Sequence, residues 1–406
     1  MIAATVSRES AAEQAWDAVV VGAGPAGAFA ALRLAQAGAR TLLVERKTFP
    51  RDKVCGGCVS HRALALLDAA GLNEAVERAG APTRSLRLYA DGRRATLAIP
   101  RGLTIPRRDF DALLVEGAIA AGAAFLPQTT AVVGPVERDR RIVRFGESRR
   151  PETNCLASVV LLATGLGLTD IPAELARENE APPGARIGIG ATIETPDDGE
   201  ESALRQADIE PGVIHMVVGP RGYVGLARAG RGRLMAAAAI DADLLAEARH
   251  PAAAAAMVLA TAGRESWAEF MATTWRIAAW TGTPALTRRL RRPVAERIFV
   301  LGDAAGYVEP FTGEGIGWAL AAGENVVVPA LAARGGWSER IERRWLDQHA
   351  RALERRRRFC RAMAAALRSR LMVGAAIRLL SVAPGVSAPA VWLWNRPLPV
   401  VESECL

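Results

Sequence analysis

The chain has 406 residues, with 51 basic and 43 acidic side chains and a formal charge of +8. Half of it is hydrophobic and 23% is charged, which excludes a disordered chain and, at this length, points to two folded domains. The 76 residues from Leu331 hold 14 Arg against 6 acidic residues, leaving 37 of each sign in residues 1–330; a charge confined to one terminal segment is not the basic face of a nucleic-acid binder.

In chain order, the first fifteen residues carry Arg8, Glu9 and Glu13 and no apolar run, so no signal peptide is expected. Asp17 to Val21 reads as a strand, Gly22-Ala-Gly-Pro-Ala-Gly27 as a loop, and the Ala/Leu-rich run to about Ala37 as a helix ended by Gly38. Thr41 to Val44 is a second strand. A helix from about Arg62 to Ala70 and two short strands around Asp91-Gly92 follow. A helix from about Arg108 to Ala121 leads into strand-like Ala123 to Val133, an Arg-rich excursion, and the apolar strand Val159 to Ala163.

From Ile187 to Ile240 the pattern turns to alternating, β-branched runs punctuated by Gly219-Pro-Arg-Gly222, as in an antiparallel sheet inserted into an α/β domain. Leu244 to Ala262 reads as helical, Ala272 to Trp280 as strand-like, Arg297 to Leu301 as a buried strand and Gly315 to Leu331 as a helix. No 18 uncharged apolar residues run together without Pro or Gly, so no membrane-spanning helix is expected. Five cysteines without framework spacing suit a reducing, cytoplasmic compartment.

Gly22–Gly27 matches GxGxxG in the context the motif needs: a strand before it, a helix after it, and Glu45 at the end of the next strand. Gly22 permits the turn, Gly24 the approach of a pyrophosphate and Gly27 close helix–strand packing, while the helix N-terminus stabilises the anion. Glu45 would accept hydrogen bonds from ribose hydroxyls. A second strand–turn–helix, Arg297 to Gly317, ends its strand in Gly302-Asp303. Its Asp would accept from a ribityl hydroxyl, and its helix N-terminus would stabilise charge on a flavin pyrimidine.

Together with Pro106-Arg107-Arg108-Asp109-Phe110-Asp111 and Pro310-Phe-Thr-Gly313-Glu-Gly315, these segments resemble FAD-dependent oxidoreductases of the para-hydroxybenzoate hydroxylase fold. Lys53-Val54-Cys55-Gly56 is similar to the geranylgeranyl reductase branch. The resemblance implies a Rossmann-like FAD-binding domain (residues 1–80, 100–170 and 285–333), an inserted antiparallel β-sheet substrate domain (81–99 and 171–284) and a helical, basic C-terminal segment (334–406). The expected cofactor contacts are Gly22, Gly24, Pro25, Ala26, Gly27, Glu45, Arg46, Arg107, Gly302, Asp303, Gly313, Gly315 and Ile316, with Arg107 at the pyrophosphate or ribityl by resemblance. Where aromatic hydroxylases carry Asp-Gly, this chain has Ala163-Thr164-Gly165, which weakens the case for an aromatic hydroxylase.

Cys55, Cys58 and His61 fall at metal-type spacing, yet a stable zinc site wants four ligands, so no metal is expected. A redox-active Cys55–Cys58 disulfide is one reading; the favoured one has Gly56 and Gly57 packing on the flavin with Cys55 as a small neighbour. Cys55 and Tyr223 are the catalytic candidates, although a core role for Tyr223 is equally open. Trp275 and Trp280 suggest an apolar pocket, and His215 reads as a core residue.

The implied function is FAD-dependent reduction of a C=C bond in a hydrophobic isoprenoid or polyketide-like metabolite, with NAD(P)H as a transient donor, or another donor. The alternatives are a monooxygenase of an aromatic or polyketide substrate using NAD(P)H and O2, and an electron-carrier flavoprotein. The Trp-x-Trp-x-Ile-Pro signature of flavin halogenases is lacking, Trp392-Leu-Trp394 standing without Ile-Pro. From Glu339 to Leu380 the chain reads as one or two helices with Met363, Leu367 and Leu371 in a stripe among arginines. Two readings stand for it: peripheral contact with a membrane surface, or a packing helix with solvated arginines.

Overall fold

The computed structural model describes residues 1–147, 150–167, 172, 174–175, 181–194, 209–230, 232–309, 311, 313–351 and 355–387. Trp392-Leu-Trp394 lies outside them.

One sheet is built on β1 (Ala15–Val21), flanked in parallel by β2 (Thr41–Val44) and the long β9 (Arg150–Leu162). β6 (Ala124–Leu126) extends it beyond β2, and β17 (Ile298–Val300) beyond β9. Where they lie in the middle of the sheet, at Ala18–Val21 of β1, Thr41–Val44 of β2, Ala157–Leu162 of β9 and Ile298–Val300 of β17, the strands are continuous runs of buried, mostly apolar residues, as parallel strands covered on both faces must be. β7 (Thr130–Glu137) and β8 (Arg140–Glu147) form an antiparallel ribbon on β9, so the Arg-rich stretch is part of the sheet. One face is covered by α2 (Pro25–Gln36), packed between α5 (Arg107–Ala120) and α9 (Gly315–Asn325). Phe29, Leu32 and Leu34 of α2 are buried, each contributing about 1.5–3 kcal/mol.

The second sheet follows the order β14-β10-β13-β12-β11-β4-β5-β3. Its members are β3 (Cys58–Val59), β4 (Ala81–Ala90), β5 (Arg93–Thr104), β10 (Ile187–Glu194), β11 (Val213–Gly219), β12 (Gly222–Ala229), β13 (Arg233–Ile240) and β14 (Thr281–Ala285). It is not wholly antiparallel: β11 runs parallel to β4, from Val213 opposite Ser85 to Val217 opposite Tyr89. The hairpin around Asp91-Gly92 is also longer than its sequence pattern suggests, with strands of 10 and 12 residues.

Ala272 to Trp280 is not a strand. α8 (Glu265–Thr274) and a short 3-10 turn (Trp275–Ile277) occupy that stretch, and β14 begins at Thr281. The aromatic enrichment that suggests a strand is helical in period: Trp267, Met271 and Trp275, spaced by four, are all buried. Likewise the Gly315 helix breaks at Val326, and α10 (Val327–Ala332) continues it. Pro329 has no N–H with which to bond the Asn325 carbonyl. The stretch Gly315–Ala332 is long and apolar enough to cross a membrane by length and composition, but 67% of it is buried inside the fold.

After α11 (Glu339–His349) come α12 (Arg355–Ala366) and α13 (Arg370–Val382), the latter lying across β4 and β5.

Candidate functional site

The carboxyl ends of β1, β2, β9 and β17 open on one edge, and the chain leaves them through Gly22, Glu45, Ala163 and Leu301. This is where open α/β sheets bind ligands. Gly22 has φ +102, and a Cβ there would lie 2.6 Å from the Ala163 carbonyl oxygen. A Cβ on Gly27 would meet the Gly22 oxygen at 1.9 Å. Gly24, at the N-cap of α2, faces open space: the nearest atoms to a Cβ would be the Arg107 and Arg51 Nη2 groups, each at 3.8 Å. Two guanidinium ends and the N–H groups of a helix start thus converge on one point, an arrangement that binds an anion such as a pyrophosphate.

Arg107 is buried and grips Asp111, one turn on, through Nε and Nη2 at 2.7 Å each. Arg51 Nη1 reaches the same carboxylate at 3.5 Å, and its Nε is buried with no partner among the described residues. Glu45 accepts from the Ala23 and Lys47 N–H groups at 3.0 Å each. Its carboxylate therefore pins the glycine turn to the end of β2, while its remaining lone pairs face the cavity. Arg51 escapes the sequence reading because no motif marks the connection after β2; its nearness to Lys53 is the only signal there.

Two cavities meet at Gly24, Lys53, Val54, Ala163, Leu166 and Thr283. The larger, about 420 Å³, is lined by Gly22, Glu45, Arg46, Arg51, Thr129 and Thr164. The smaller, about 160 Å³, lies between the two sheets. On one side it has Pro25, Ala26, Arg107, Gly302, Asp303, Gly313, Gly315 and Ile316, and on the other Met216, Tyr223, Leu226, Met235 and their neighbours. Of the expected cofactor residues, only Gly27 lies behind the cavity walls, where it packs α2 on the turn. The arrangement fits FAD. Glu45 would hold the adenosine ribose, Arg51 and Arg107 the pyrophosphate, and Asp303 the ribityl chain. The start of α9 at Gly315 would face the ring.

Cys55, Gly56 and Cys58 line the smaller cavity, and both cysteines are free thiols. The Gly57 N–H donates to Cys55 Sγ at 3.3 Å. Burial pushes the Cys58 thiol up to about 12, with Cys55 acting in the same direction, so Cys58 stays protonated. Among the described residues no three His, Cys, Asp or Glu side chains are placed to hold a metal ion. Lys53 stands where the cavities join; burial holds its ammonium below the usual lysine range, Arg107 adds to this, and Asp303 opposes it.

Tyr223 is buried on the opposite wall, and its hydroxyl has no hydrogen-bond partner among the described residues. Phe311 meets the ring edge-on at 5.2 Å, and the Arg186 guanidinium lies over it at 5.7 Å. Behind them Arg186 donates to Glu309 at 2.9 Å. Burial raises the Tyr223 phenol well above its usual range, so the group is a neutral donor. Trp275 and Trp280 do not form the pocket: they pack with the helices over the outer face of the second sheet, in a core that includes Trp267 and Leu259. His215 lies in that core too, 3.1 Å from the Tyr89 hydroxyl.

The basic segment supports the site directly. Arg357 donates to the Gly306 carbonyl at 2.8 Å, and Arg356 lies 3.7 Å from Glu314. Glu314 also pairs with Arg62 and accepts from Trp318 Nε1 at 3.0 Å. Two of these arginines are thus structural ties on the loops that present Asp303 and Gly315, not solvated charges.

A family model described as an FAD binding domain matches residues 15–145. The chain is 28% identical over 328 residues to a menaquinone reductase of Mycobacterium tuberculosis, covering 76% of this chain and 74% of that protein. It is 25% identical over 344 residues to digeranylgeranylglycerophospholipid reductase 2 of Methanopyrus kandleri, covering 82% and 83%. Among solved structures, a probable FAD-dependent monooxygenase from Pseudomonas aeruginosa superposes with a TM-score of 0.68 at 20% identity, covering 89% of this chain and 99% of that one.

Proposed function

We propose that this chain, an FAD-dependent oxidoreductase of the para-hydroxybenzoate hydroxylase fold, reduces a C=C bond of a hydrophobic isoprenoid or polyketide-like metabolite, with NAD(P)H or another donor supplying the electrons. The observation that carries this reading is the second sheet's wall of the smaller cavity. It consists of Gly188, Ile214, Met216, Gly225, Leu226, Ala227, Met235 and the Ala237–Ala239 run, with Thr283, Leu286 and Tyr223, and contains no charged side chain. Such a wall binds apolar carbon by burial and offers no general base to an ionised substrate. The two relatives named above, both reductases by name, support the same chemistry.

FAD held by Glu45, Arg51, Arg107 and Asp303 would supply a hydride acceptor and donor. The residues of the chain set what meets it. Tyr223 Oη keeps its proton and can donate to an oxygen on the substrate, orienting the reacting carbon. Cys55 Sγ stands on the facing wall as a small, soft contact. The apolar wall excludes water from the space between.

The test is anaerobic: reduced enzyme is mixed with prenylated lipids of defined unsaturation, and reoxidation is followed by absorbance. Reoxidation by lipid without oxygen, with a saturated product by mass spectrometry, is expected. Reoxidation that requires oxygen and yields a hydroxylated product overturns the reading in favour of monooxygenation. No substrate-dependent reoxidation with any candidate would leave an electron carrier.

A further inference from the structure

The described residues include eight large hydrophobic side chains that are exposed, and six of them, Phe359, Leu371, Met372, Leu379, Val382 and Val386, lie in the last two helices and the turn after them. Leu371, Ala375, Leu379 and Val382 follow helical spacing along one face of α13. Leu371 is 86% exposed and Val382 85%. The opposite face is equally apolar, with Ile377 buried and Val373 and Leu380 packed inward. Among the described residues nothing covers the outer face of this helix, which is apolar on both sides, and such a face marks an interaction surface.

We propose that α13 docks on an anionic lipid bilayer. The first argument is charge. From Arg355 to Ser387 there are eight arginines and no acidic residue; Arg356 and Arg357 are committed inward, while Arg370 and Arg378 are exposed on α13 beside the stripe. Apolar side chains flanked by arginine are what the interface of an anionic leaflet accepts. The second is length: 13 residues span about 20 Å as a helix, too short to cross a bilayer and sufficient to lie in its surface.

The third argument is continuity with the site. The inward face of α13 belongs to a cluster containing Leu166, Met216, Tyr223, Ala239, Leu286 and Tyr307. All six line the smaller cavity. The helix that carries the exposed stripe and the wall of the proposed substrate space therefore share one continuous cluster of packed apolar side chains. Delivery of a lipid through that cluster rests on the functional reading above, whereas docking itself does not.

The experiment is vesicle flotation of the full-length, FAD-loaded protein with phosphatidylcholine alone and with phosphatidylcholine containing phosphatidylglycerol. The wild type is compared with a Leu371→Ser, Leu379→Ser, Val382→Ser variant and with an Arg370→Glu, Arg378→Glu variant. Both variants change exposed residues, and retained flavin absorbance shows that they are folded. The wild type is expected to float with anionic vesicles, and each variant to partition at least about tenfold less. Equal flotation of wild type and variants, or none by the wild type, overturns the proposal. So does a concentration-dependent dimer by light scattering that the serine variant abolishes, without any flotation; a second copy would then be the occupant. Turnover of a short, water-soluble substrate analogue reports the reaction separately: loss of flotation with that turnover intact isolates docking from chemistry.

Discussion

Arg107 and Asp111, one turn apart on α5, meet through two parallel hydrogen bonds of 2.7 Å, and both side chains are buried. The pair holds Arg107 Nη2 beside Gly24, 3.8 Å from where a Cβ would stand. Arg107→Lys keeps the charge but loses the fork that spans Asp111 while presenting a second edge to a phosphate. The affinity for FAD is expected to fall about tenfold, with far-UV circular dichroism unchanged. Titration of apoprotein by flavin fluorescence checks this, and an unchanged Kd would show that the fork has no role in holding the cofactor.

The glycines of the turn separate folding from binding. Ala at Gly27 would drive its Cβ to 1.9 Å from the Gly22 oxygen, so Gly27→Ala must shift backbone in the core and is expected to lower the thermal midpoint of the apoprotein or abolish soluble protein. Ala at Gly24 meets nothing closer than 3.8 Å, and its φ of −76 suits any residue. Gly24→Ala should therefore fold normally yet bind FAD at least about tenfold more weakly, because the methyl group fills the space a pyrophosphate needs. Equal melting of the two apoproteins would contradict this division.

That division was legible in the sequence because a glycine motif states its own geometry: strand, turn and helix are local, and Glu45 follows within one βαβ unit. What was not legible is what the chain assembles from afar. Arg51 becomes an anion-facing residue only because the connection after β2 folds back under Arg107. The second sheet shows its antiparallel runs through alternation, yet the parallel β11–β4 pair joins segments 128 residues apart, and alternation carries no direction. Trp275 favours a strand by residue type, but with Trp267 and Met271 it falls at helical spacing, and burial of that stripe decided it. The arginine run at 355–358 reads as surface charge, solvated or facing a membrane, whereas Arg357 finds a backbone carbonyl 51 residues upstream.

Tyr223 offers a test in which stability and activity part company. Its hydroxyl is buried with no hydrogen-bond partner among the described residues, so Tyr223→Phe should leave stability unchanged or raise it by about 1 kcal/mol. Turnover should nevertheless fall about 10- to 100-fold if the hydroxyl orients the substrate. Thermal melting beside steady-state kinetics checks both. Unchanged kcat and KM would return Tyr223 to the core.

His349 makes folding pH-dependent. Its Nε2 lies 3.3 Å from Arg357 Nη1, which can only donate, so the imidazole must be neutral to accept. Burial, with the Arg357 charge adding to it, lowers its pKa from 6.5 to about 3. Because the folded value is depressed, the unfolded chain binds the proton first as pH falls, and stability is lost progressively below about pH 6.5. By pH 5.5 this group alone should cost about 1.4 kcal/mol relative to pH 7.5 and above. His349→Gln removes the titration while keeping an acceptor for Arg357. The drop in denaturant midpoint between pH 7.5 and 5.5 should be smaller in the variant than in the wild type by about that amount. The comparison isolates one residue, since the carboxylates titrate alike in both proteins. An equal drop in both would mean that His349 becomes protonated in the folded protein, and that Arg357 then holds the Gly306 carbonyl without it.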